Sequence, residues 1–116
     1  MKRMLVGALA LIVVAGQAAA SDRDRVMEKL ADMIAINALC PKWVADEKLL
    51  TLAITVFSID LDDGSSDAEA LMRMSREKVA LMKGQSSGKE EEVACLAAQM
   101  LYGPNGTNGA GMMRKQ

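Results

Sequence analysis

The sequence predicts a small all-α domain: a bundle of about four helices stapled by one disulfide, after a cleaved N-terminal signal peptide. Three observations predict it. Apolar residues recur at spacings of three and four along most of the chain. Ser, Asp and Gly fall where helices start and stop. Two cysteines, and no more, follow an expected export signal.

The N-terminus sets the compartment. Lys2 and Arg3 precede an uncharged apolar run of twelve residues, Met4 to Ala15. Gly16-Gln17 breaks that run, and Ala18-Ala19-Ala20 offers the small residues a signal peptidase reads. A membrane span needs about 20 apolar residues, more than this run supplies. Cleavage is therefore expected between Ala20 and Ser21. No cysteine follows the cleavage site to carry a lipid, and the short Ala-rich form fits a bacterial Sec substrate, periplasmic or secreted. Residues 21–102 form the expected helical domain and residues 103–116 a flexible tail.

The first helix is expected from a Ser21 cap, with Asp24 near the positive end of its dipole. Val26, Leu30, Met33, Ile34 and Asn37 or Ala38 form its stripe. Pro41 disfavours helical geometry at Cys40, so the helix should end near Leu39. A second helix is expected over residues 42–59. Trp43, Leu50, Ile54, Phe57 and Leu61 share one face, widened by Leu49, Ala53 and Val56, which marks this element as the most buried. Phe57 to Leu61 also alternates as a strand would, but a lone strand has no partner elsewhere in the chain, so helix is expected.

Asp60 to Ser65 reads as a turn. Ser66-Asp67-Ala68-Glu69 is a capping box for a third helix, expected to reach Lys83 and end on Gly84. Ser87-Gly88-Lys89-Glu90 is a second such box. It opens a fourth helix whose buried side is Val93, Ala94, Ala97, Ala98 and Leu101. Gly103-Pro104 stops it, and four glycines in the last fourteen residues suggest a mobile tail.

Cys40 and Cys95 are the only cysteines, and an even pair in a small exported domain reads as a disulfide. Without histidine or further cysteine no structural zinc site can be assembled. The absence of histidine also removes the commonest general base and every Ser-His or Cys-His nucleophile. No phosphate loop of standard spacing occurs. An enzyme is not expected, nor a cofactor.

Without Lys2 and Arg3, 12 basic residues face 15 acidic ones, a net charge of −3. That balance, with only Trp43, Phe57 and Tyr102 as aromatics, argues against nucleic acid and anionic membrane as partners. Asp60, Asp62 and Asp63 before Gly64 suggest a calcium loop, but setting Gly64 at position 6 puts Ile59 and Leu61 at positions 1 and 3. A solvated turn fits better. Met72, Met74, Met82, Met100, Met112 and Met113 are thioethers that could in principle hold Cu(I), a role that usually needs several exposed methionines close together, often with histidine. Met72, Met74 and Met82 are instead candidates for an adaptable partner-binding surface.

In size and layout the chain resembles two groups: the small acid-activated periplasmic chaperones, and small helical periplasmic immunity proteins. The shared features are the export signal, about a hundred mature residues, four helices and one long-range disulfide. No diagnostic motif aligns, so no family is assigned. The resemblance implies a protein that works by binding; with no histidine, any acid switch would run on carboxylates. The expected function is therefore protein–protein binding, as a chaperone, inhibitor, immunity protein or envelope-complex accessory, with self-association left open. The alternative is a small-molecule or metal carrier. A carrier should show an apolar pocket between its helices; a partner-binding protein should show an exposed apolar patch.

Overall fold

A computed structural model describes the backbone of residues 7–116 and the side chains from residue 22 onward. The signal-peptide reading falls outside the described residues at its positive end and on backbone alone beyond it. The elements are α1 (Gly7–Leu39), β1 (Trp43–Ala45), α2 (Glu47–Val56), α3 (Ser66–Ser86), α4 (Glu90–Ala97), a π-helical turn (Ala98–Tyr102) and β2 (Met113–Lys115). The protein is thus mostly helical, with four α-helices among the described residues.

In the full chain α1 does not begin at Ser21. It enters from the preceding Ala-rich segment, whose residues are strong helix formers, so Ser21 and Asp22 lie inside it. The helix ends at Leu39, before Pro41, as the sequence implies. It is the centre of the fold. Met27, Leu30, Ala31, Met33, Ala35 and Ile36 are all buried, on a broader face than one stripe, because α3 and α4 both pack on it.

Cys40 Sγ is bonded to Cys95 Sγ, with the two Cα atoms 5.4 Å apart. The bond joins the end of α1 to the middle of α4, as expected.

Three expectations are corrected. The segment read as one helix over residues 42–59 is a short strand followed by a shorter helix. Trp43 lies in β1, and Asp46 caps α2 by accepting from the Lys48 and Leu49 N–H groups, both at 3.1 Å. Nor is α2 the most buried element: none of its residues is buried. Leu50, Ile54 and Phe57 pack partly against the core, while Leu49, Leu52 and Val56 face solvent.

The second correction concerns caps. The side chain that caps α3 is Ser65, accepting from Ala68 N–H at 3.0 Å, one residue before the expected Ser66. The helix runs through Gly84 to Ser86, and Ser87 closes it in the left-handed conformation. Ser87 is thereby used up, and α4 starts after Lys89 without a side-chain cap.

The third correction is the tail. Residues 113–115 form β2, antiparallel to β1 in the register Trp43↔Lys115, Val44↔Arg114 and Ala45↔Met113. The partner of β1 is thus the far end of the chain, whereas residues 57–61, whose alternation suggested a strand, form a turn and linker and neither helix nor strand. Before β2, the glycine-rich loop folds back on the π turn. Thr107 N–H donates to Met100 C=O at 3.0 Å and Asn108 N–H to Leu101 C=O at 2.9 Å. These bonds satisfy carbonyls that a helix end leaves without partners. A Cβ on Gly106 would collide with the Leu101 and Tyr102 backbone, so glycine here serves close approach and not mobility.

Candidate functional site

The feature that stands out is α2. At about 100° per residue, Leu49, Leu52 and Val56 fall within about 60° of one another. Ala53, Leu50, Ile54 and Phe57 occupy the adjoining arc, and Glu47, Lys48, Thr51 and Thr55 the rest. Half of the helix surface is therefore apolar, and only one edge of that half is covered. Leu52 is 58% exposed and Val56 61%.

Both ends of α2 are tied down. At its start, Asp46 N–H donates to Met112 C=O at 2.7 Å. At its end, Arg23 of α1 donates from Nε to Phe57 C=O at 3.3 Å and from Nη2 to Asp67 Oδ2 at 2.7 Å. Asp67 Oδ2 also accepts the Asp60 N–H at 2.9 Å. One carboxylate thus pins the linker after α2 to α1 and α3. The Asp60 N–H and the Arg23 guanidinium hold the Asp67 carboxyl below its ordinary range.

A carboxyl lowered in the fold stabilises it at neutral pH and loses that contribution on acidification. The loss should begin below the ordinary aspartate value of 3.8 and be complete below the lowered folded value. Urea midpoints measured between pH 7 and pH 2 should show a steeper acid limb for the wild type than for Asp67→Asn. Parallel limbs would show that the clasp carries no linkage.

Next to α2 lies an apolar cleft of about 340 Å³ between α1, β1, α3 and the α2–α3 linker. A larger hollow of about 670 Å³ lies beside Trp43 and Cys95; Lys42, Lys89, Lys115, Glu91 and Glu92 give it a mixed charged lining.

The three candidate methionines are not brought together. Met72 is 49% exposed on α3, beside Arg73 and Arg76 in a shallow depression. Met74 and Met82 are half-buried and pack against the core. No family model, no curated protein and no solved structure matches this chain. Its function must therefore be argued from its own surface.

A partly buried polar cluster escaped the sequence pattern. Tyr102, fully buried, donates from its hydroxyl to Asp32 Oδ2 at 2.7 Å and accepts from Asn108 Nδ2 at 2.8 Å. Lys78 Nζ lies 2.8 Å from Asp32 Oδ1. Burial and the Asp32 carboxylate push the Tyr102 phenol far above its usual range. For Lys78, burial lowers the pKa, but Asp32, with Glu28 and Glu77, outweighs it and the net direction is upward. The cluster locks α1, α3, the π turn and the C-terminal loop together. Its members lie far apart in sequence, so no local motif could reveal them.

The Asp60 turn is built from local bonds. Asp60 Oδ1 accepts from Asp62 N–H at 2.9 Å, and Ser65 Oγ donates to Asp60 C=O at 2.7 Å. Among the described residues no three acidic, Cys or His side chains are grouped to hold a metal ion, and no helix is long and apolar enough to cross a membrane.

Proposed function

We propose that this protein is exported, is cut after Ala20, and acts in the periplasm or the medium by binding another protein, without catalysing a reaction. One observation carries the binding role: α2 presents Leu49, Leu52 and Val56 at i, i+3 and i+7 on a face left open among the described residues. That spacing is how a helix offers anchors to a partner groove or a partner helix. Full burial of such a side chain is worth about 1.5–3 kcal/mol, and the exposed share of each, largest at Leu52 and Val56, is what a partner can recover. Among the methionines, Met72 remains a candidate for the same role on α3; Met74 and Met82 serve core packing. The disulfide and the lack of a membrane-crossing helix among the described residues are compatible with export.

The test is capture from an envelope extract of the source cells. The exported form, with an intact mass starting at Ser21, should retain a partner, and Leu52→Glu should lose it. Because Leu52 is exposed, the melting temperature should move by no more than about 4 °C. The reading fails if Leu52→Glu, Val56→Glu and Met72→Glu all retain the same partner as the wild type. A second copy of the chain as occupant of α2 would appear as a dimer in sedimentation that Leu52→Glu dissolves.

A further inference from the structure

The cleft beside α2 is separate from the exposed stripe and has its own chemistry. Leu30 and Met33 of α1 and Leu71 of α3, all buried, form its floor. Ile34 of α1 and Leu61 of the linker stand half-open at its sides, and Leu50 of α2 closes one edge. No charged residue lines it. Its one polar lining group is Asn37, whose Nδ2 donates to Trp43 C=O at 2.8 Å. The Asn37 carbonyl oxygen and second N–H remain available to a ligand.

The geometry points to this cleft as a binding site for a single neutral aliphatic chain that ends in a hydrogen-bonding group. Three features select that class. The volume, about 340 Å³, lies at the small end of ligand pockets, which run to about 1,000 Å³. The lining rewards every methylene taken out of water. It offers no counter-charge, so an ionised head group drawn inside would lose its hydration without compensation. The hollow beside Trp43 is the opposite case, with lysines and glutamates that suit neither class cleanly.

Titration calorimetry on the purified disulfide-bonded protein tests this directly, with 1-decanol, decanoate and decyltrimethylammonium as probes. Decanol should bind saturably, one molecule per chain, at least about tenfold tighter than either ion at pH 7. Ile34→Asp and Leu61→Glu each place a charge in the cleft from a half-open position. Each should weaken decanol at least about tenfold, while Leu52→Glu, outside the cleft, should leave it unchanged. Thermal melts identify a variant that has lost its fold, and the other then decides. Absence of saturable decanol binding, equal affinity for the ions, or unchanged affinity in the folded cleft variants would overturn the assignment. If the protein ignores decanol yet Ile34→Asp abolishes partner capture, the cleft takes a partner's side chain and the proposal falls.

Discussion

Replacing Cys40 by serine is expected to lower the melting temperature by on the order of 20 °C. The bond spans a sequence separation of 55 residues. Closing a loop of that length removes enough freedom from the unfolded chain to stabilise the fold by about 4 kcal/mol. For a domain of this size, each 1 kcal/mol is worth roughly 4–8 °C. Cys40 is also 0% exposed, so serine would bury a hydroxyl in an apolar setting. The staple sits where it matters, holding the end of α1 against α4 beside Trp43 and Ala94, both buried. Thermal denaturation of Cys40→Ser, Cys95→Ser and the double variant separates the two effects. Loss of the cross-link should cost all three about the same, with Cys40→Ser and the double variant slightly worse. A double variant melting within a few degrees of the wild type would show that packing alone carries the fold.

The second large effect is expected near the C-terminus. Met113→Ala should destabilise the protein by about 3 kcal/mol, the middle of the range for truncating a buried methionine. Met113 is 1% exposed and belongs to the same core as Ile36 and Tyr102. It is held by the β1–β2 pairing and by the loop that returns over the π turn. Gly106→Ala should add a second signature, because its methyl group would displace the backbone at Leu101 and Tyr102. Equilibrium urea unfolding measures both. A mobile tail would make both substitutions silent, so a change below about 0.5 kcal/mol in each would restore that picture.

How much could be read from the residues alone differs by element, for physical reasons. Helices α1, α3 and α4 announce themselves because periodicity and helix propensity are local properties. The disulfide was legible because two cysteines allow one pairing. The α2 region misled because amphipathicity states which face prefers burial, not whether anything is available to bury it. The capping boxes at Ser66 and Ser87 misled by one position or entirely. Neighbouring Ser65 was equally able to cap, and Ser87 was already engaged in ending α3. Of the candidate surface residues, Met72 is exposed as the pattern allowed. Leu52 and Val56 were missed, since burial on α2 was assumed.

What the sequence by itself determined is the helical class, the positions of most helices, the covalent staple and the absence of histidine. Each follows from local spacing or simple composition. Tertiary structure alone decided three further matters. It brought residues 113–115 across the chain to pair with β1, turning an apparent tail into core. It gathered Asp32, Lys78 and Asn108 around the buried Tyr102 from four separate segments. It also left α2 uncovered, because α1 can bury only as much as its circumference allows. That circumference is shared chiefly by α3 and α4, so α2 finds cover for a single edge. The unmet demand for burial on its other edge is the physical basis for the binding role proposed here.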